Sequence, residues 1–346
     1  MLSCSIGCLA RKLLMPISFH RLIRQIAGFT DTLLRRSSTG TAGWLTRCLP
    51  ILLLSGCAQI THQPTLAGKA WDVRHRRMLT LSEVMRHAAA VDIVLIGETH
   101  DNPTHHAIET ALLETLSARR AAVLVMEQYD LEQQPALDAI ARSRDNPLMR
   151  LTALQKLMGT GWEWPGYQPL LAAAVHNNLP VIAANASRAN LRQVALQGFD
   201  ALGPDNAARL GLDTGWSKPQ QTLLLGEIAE GHCGSLPAEA VSAIALAQRA
   251  RDALMADRIL AQSAAPIIAV LGRGHVRHDI GVPVYLKRRA ENRRFITIGL
   301  VEAGDSNVAS DYDSSALGVL YDYVVFSAPT PRKSDPCEAF APASKK

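Results

Sequence analysis

An α/β fold, with a mostly parallel sheet flanked by helices and a helical subdomain, is predicted by three features of the chain. Short apolar and β-branched runs alternate with longer helical patterns, as in parallel strands joined by crossover helices. The stretch between about 130 and 240 holds more helix than strand. At 346 residues, with 48% hydrophobic and 19% charged, the chain has material for one large core.

The elements follow in order. Asp92 to Ile96 reads as the first strand, and a turn cluster leads to a helix from Pro103 to Ser117. Asp101 or Asn102 is a suitable cap there, with proline at the first helical position. Ala122 to Met126 and Val181 to Ala184 are the next strands, the latter leading into a helix near Ser187 to Leu196. An Ala-rich helical stretch, Ala238 to Ser263, precedes the strand Pro266 to Leu271. Phe295 to Val301 and Tyr321 to Phe326 complete the sheet of a body spanning 90–327, with the helical insertion at about 130–240. Residues 57–89 read as a tether and N-terminal extension, and the Pro- and Ser-containing tail 328–346 as disordered. There is no internal repeat.

Residues 1–56 read as a leader with a signal peptide. Arg47 precedes the apolar run Cys48 to Leu54, which is too short to cross a bilayer. Leu54-Ser55-Gly56-Cys57 resembles the lipobox of bacterial lipoproteins, which implies acylation at Cys57 and attachment to a membrane. Ala58 in place of Asp after that cysteine points to the outer membrane, facing the periplasm.

The net charge of +5 belongs to this leader, where seven basic residues face one acid. The remaining 29 bases and 30 acids form no basic stripe, which argues against nucleic acid as a partner. After Cys57 the remaining cysteines are Cys233 and Cys337, expected as free thiols because the second lies in the tail. No CxxC or CxxCH occurs, which argues against a structural zinc site, a thioredoxin-like centre or covalently attached haem.

In parallel sheets, ligands bind beyond the carboxyl ends of the strands. Here those ends are polar: Gly97 to His106 after the first strand, Glu127-Gln128-Tyr129 after the second, Asn185 after the third and Gly272 to His275 after the fourth. Glu98 and His100 set a carboxylate beside an imidazole. His106 falls in the first turn of the following helix, whereas His105 is expected to face solvent. Glu127 ends an apolar run and requires a partner among Glu98, His100 and His275. Such a cluster suits a divalent metal and hydrolysis through activated water, although it matches no short zinc motif. His232-Cys233 reads as a structural loop. Arg249, Arg251 and Asp252 lie on one predicted helix, with Arg251 and Met255 on a shared face, and an arginine there is expected to meet an anionic ligand or to pair with Asp252 or Glu239.

The run Ile96-Gly97-Glu98-Thr99-His100-Asp101-Asn102-Pro103, followed by His105-His106 and Met126-Glu127, resembles the ChaN-like haem-binding lipoproteins. Segments near Trp164, Ile182, His232, Gln248 and Gly272 agree in order, so the resemblance covers roughly 90 to 290. It implies a haem-binding α/β domain, a homodimer enclosing paired haems, and a part in a haem-uptake system. It also implies a tyrosine iron ligand, a phenolate being a hard donor for ferric haem. Tyr167, beside Trp162 and Trp164, is preferred, with Tyr129 open; His100, His106 and Arg251 are further haem-contacting candidates. The wider superfamily, with Tiki-type proteases and erythromycin esterases, implies the alternative of a metal-dependent hydrolase using Glu98, His100, Glu127 and His275 as ligands or base.

Overall fold

The computed structural model describes residues 65–340, apart from 119, 160, 163, 264–265, 291 and 305–307. The leader, Cys57 and the last six residues lie outside the described residues.

The strands are β1 (Ala70–Asp72), β2 (Arg77–Leu79), β3 (Ile93–Glu98), β4 (Val123–Asp130), β5 (Val181–Asn185), β6 (Ile267–Gly272), β7 (Phe295–Glu302), β8 (Ser314–Ser315), β9 (Gly318–Val319) and β10 (Tyr323–Ser327). Eight form one sheet in the order β2-β1-β10-β7-β3-β6-β4-β5, while β8 and β9 form a separate small hairpin. From β10 to β5 every pairing is parallel. β1 is antiparallel to both its neighbours, so the sheet begins at Ala70, well before the boundary at 90 that the sequence suggests.

The helices are α1 (Leu81–Ala88), α2 (Pro103–Ser117), α3 (Gln134–Arg142), α4 (Pro147–Leu157), α5 (Trp164–His176), α6 (Arg188–Gln197), α7 (Pro204–Leu210), α8 (Lys218–Gly231), α9 (Ala238–Leu260) and α10 (Val282–Arg289). α3 to α8 supply the helix-rich middle of the chain. Among the described residues no helix is long and apolar enough to cross a membrane.

β3 and β6 are buried at every position, so their unbroken apolar runs reflect cover on both faces. Side chains alternate across the sheet. Val94 and Ile96 enter one core with Leu112, Met126 and Tyr167, whereas Ile93 and Leu95 enter the other with Ala253, Met255 and Tyr285. A third, small core joins α8 to α9 through Leu224, Ile228, Val241 and Ala245.

The chain after β10 is ordered as far as residue 340, in contrast to the disordered tail expected from 328. Arg332 binds Asp101 and Glu302 at 2.7–3.0 Å, and Cys337 forms a disulfide with Cys233. The expectation of free thiols is corrected: the two Cα atoms lie 5.7 Å apart, inside the range a disulfide spans.

Candidate functional site

The carboxyl ends of β3, β6 and β4 lie side by side, and each contributes to one polar cluster. Glu98 ends β3 with its side chain fully buried. Its Oε1 accepts from Gln128 Nε2 at 2.9 Å and the Tyr167 hydroxyl at 2.7 Å, and lies 2.9 Å from His100 Nδ1. A carboxylate only accepts, so Nδ1 carries the proton of that bond. Oε2 lies 3.1 Å from His106 Nε2, without the alignment of a hydrogen bond. Burial opposes charge on Glu98, but His100 and His106 outweigh it and hold the carboxylate at about 2.

His100 sits at the surface of the cluster, its side chain 42% exposed and edge-on to Trp162 at 4.8 Å. Burial works against its protonation, yet Glu98 and Glu127 raise its pKa. A Cβ on Gly272 would stand 3.0 Å from His100 Nε2 and 3.4 Å from Glu127 Oε2, so the bare backbone there lets the two side chains approach.

Glu127 reaches the site through an irregularity in β4. The pairing with β6 ends at Met126, and the register with β5 shifts between Met126 and Asp130. Such a break re-aims side chains at a sheet edge. Glu127 Oε2 accepts from the Gly272 backbone N–H at 2.7 Å, and Oε1 lies 3.4 Å from His275 Nε2. On its other side His275 Nδ1 is 2.5 Å from Asp252 Oδ1 on α9. Although burial opposes it, this pair of acids raises His275 to about 10. Against its own burial, Glu127 is held well below the usual carboxylate range by His275 and His100. Burial pushes Asp252 up despite the pull of His275.

His106, on α2, is buried with its ring centroid 4.5 Å from that of Tyr167. Gly166 makes room for it, since a Cβ there would stand 2.4 Å from Nδ1 and Cε1. Glu109, one turn along α2, is wholly buried, and its burial together with the neighbouring Glu98 pushes its carboxyl well up.

The structure thus brings together Glu98, His100, His106, Glu127, His275 and Tyr167. It does not bring Tyr129 there: that side chain lies in the core, its hydroxyl donating to the Leu154 carbonyl at 3.1 Å. Tyr167 is also fully buried, and its hydroxyl is spent on Glu98. Neither tyrosine offers an open oxygen. His105, expected at the surface, is instead buried: Nδ1 accepts from the Thr99 N–H at 2.9 Å, and Nε2 bonds Ser327 Oγ at 3.0 Å. Burial lowers it to about 4, so it is a neutral link between β3 and β10.

Beside the cluster opens a cleft of about 690 Å³. Glu127, Trp162, Arg188, Arg192, Ile244 and Arg251 are among its lining. Arg249, which the sequence allowed as a ligand contact, is buried between the rings of Phe199 and Trp216 at 4.7 and 4.6 Å and donates to the Leu212 carbonyl. Sequence reasoning missed Glu109, the two cleft arginines of α6 and the bond of Asp252 to His275, and it placed Gln128 at a strand end without giving it a role. The signals available were helical spacings: Glu109 follows His106 by three residues, and Gln248 and Asp252 are four apart on one face of α9.

A family described as "Haem-binding uptake, Tiki superfamily, ChaN" matches residues 84–286. No match is found among curated proteins. Among solved structures, ChaN of Campylobacter jejuni, described with cofacial haem binding, superposes with a TM-score of 0.60 at 16% identity, covering 74% of this chain and 95% of that one. A mutant of the erythromycin esterase EreC, in its open conformation, gives a TM-score of 0.42 at 11% identity over 73% of this chain and 95% of that one. The first likeness supports the fold alone, and the second is too distant to add to it. The extent of the family match, over more than half of the sequence, places the chain in the ChaN family of the Tiki superfamily.

Proposed function

We propose that this protein binds haem in the cleft beside the Glu98 cluster, as a lipid-anchored component of haem or iron uptake at the cell envelope. The observation that carries the reading is the cleft's composition. Its volume lies within the range of about 300–1,000 Å³ usual for small-ligand sites. Arg188, Arg192 and Arg251 suit two propionates, and Trp162 with Leu191, Ala195 and Ile244 offers apolar surface to a porphyrin. Haem iron requires an axial donor, and His100 fits that need better than either tyrosine. Its imidazole is part-exposed, its Nδ1 proton goes to Glu98, and Nε2 is thereby left as the basic nitrogen. Two copies facing one another across such clefts would enclose paired haems, as the resemblance implies. The Cys233–Cys337 disulfide supports an oxidising compartment such as the periplasm, in keeping with acylation of Cys57 and an outer-membrane location.

Titration of the purified protein with haem is expected to give a Soret band at saturation. His100→Ala should shift that band and weaken binding, Arg251→Ala should weaken it about tenfold, and Tyr167→Phe should retain it. A spectrum unchanged in His100→Ala, or no band in the parent, overturns the reading. Cys57→Ser should move the protein from the membrane to the soluble fraction.

The alternative is hydrolysis by the same cluster, favoured by the contacts of His275 with Asp252 and Glu127. An imidazole gripped by two carboxylates is held in its protonated form, which suits it to donate a proton and not to accept one. Ester cleavage by the pure protein, abolished in His275→Ala, would favour hydrolysis.

A further inference from the structure

Beside Glu98 stand two ligating side chains, His106 and Glu109, that the haem reading leaves unused. Glu98 Oε2 and His106 Nε2 face each other at 3.1 Å without the alignment of a hydrogen bond, and His106 Nδ1 and both carboxylate oxygens of Glu109 are buried without a hydrogen-bond partner. Buried polar atoms are nearly always satisfied, so a concentration of unsatisfied ones at a single spot calls for something that satisfies them. One donor atom from each of Glu98, His106 and Glu109 can be chosen so that all three lie within 4.8 Å of one another.

Two further features suit a bound cation. The donors are held in place by packing: His106 is wedged between Gly166 and Tyr167, and Glu98 is oriented through its other oxygen by Gln128, Tyr167 and His100. Outer contacts of this kind fix a ligating carboxylate before the ion arrives. His106 also forms part of the wall of a groove of about 360 Å³ between α2 and α5.

We propose that Glu98, His106 and Glu109 bind one divalent transition-metal ion. One imidazole and two carboxylates form a mixed nitrogen and oxygen donor set suited to zinc, manganese or ferrous iron, and the ion offsets two acids buried together. The site is distinct from the four-residue set Glu98, His100, Glu127 and His275, because Glu109 and His106 approach Glu98 from the α2 side. It does not depend on haem binding.

The test uses the full chain, purified without a histidine tag and free of haem, stripped with a chelator and dialysed against Zn(II) or Mn(II). Elemental analysis should find one equivalent bound, and the melting temperature should rise with metal. Glu109→Gln, nearly isosteric and checked for folding by circular dichroism, should bind at least tenfold more weakly and lose the thermal shift. His106→Ala should do the same. The proposal fails if the parent chain retains no metal, or if Glu109→Gln binds it equally well. Loss of metal in His275→Ala but not in Glu109→Gln would assign the ion to the other set and equally overturn it.

Discussion

Gly166 has no side chain because the His106 ring occupies that space. Alanine there must displace either the ring or the start of α5, and overpacking of this kind costs about 1–3 kcal/mol. Urea unfolding of Gly166→Ala should show that loss, with a smaller effect when His106 is also shortened to alanine. His275 sets a pH dependence of opposite origin. Its pKa rises on folding from 6.5 to about 10, so its contribution is complete below 6.5 and is lost as pH climbs through 10. Melting temperature measured from pH 6 to 10 should therefore fall more steeply in the parent than in His275→Gln. These side chains differ in how far the sequence exposed them. Glu98, Glu127 and His275 stood out because each follows an apolar strand, where a charged group has to meet something. Glu109 did not, because a glutamate in mid-helix reads as a solvated face until the neighbouring helix is known to cover it. His105 and His106 were open to confusion for the same reason. Adjacent positions on a helix diverge: His105 is inside because it meets Ser327 of β10, and His106 because α5 packs over it.

At the level of elements, α2 begins as its residues dictate. Asn102 accepts from the N–H groups of Thr104 and His105, and Pro103 occupies the first turn. The Asn102 side-chain Nδ2 also donates to Glu302, tying the helix start to the end of β7. Asn102→Ala removes both functions and should cost about 1–2 kcal/mol in chemical denaturation, with Asn102→Asp recovering the cap but not the contact with Glu302. The central strands were legible because cover on both faces demands uninterrupted apolar residues. β1 and β2 were not, having three residues each and no room for a period to show. The irregularity in β4 that frees Glu127 leaves no local mark either, since it arises where β4 outruns its neighbours.

Across the whole molecule, the disulfide between Cys233 and Cys337 closes 104 residues of separation and pins the chain end against α8. Its removal should cost about 2–5 kcal/mol, seen as a lower melting temperature for Cys337→Ser than for the parent under non-reducing conditions, with the gap closing in reductant. Residues 328–340 have the composition of a linker, and what holds them is two long-range ties, Cys337 and Arg332, which no local pattern reveals.

The direction of β1 has a practical corollary. Running against β10, with the Gly68 N–H bonded to the Phe326 carbonyl, it brings the backbone in at the same end from which the last long strand departs. Entry into the sheet, departure from it and the cleft therefore share one side of the body. The opposite side, with the exposed turn at Asn177 ahead of β5, is where a label or solid support can be attached while leaving ligand access clear.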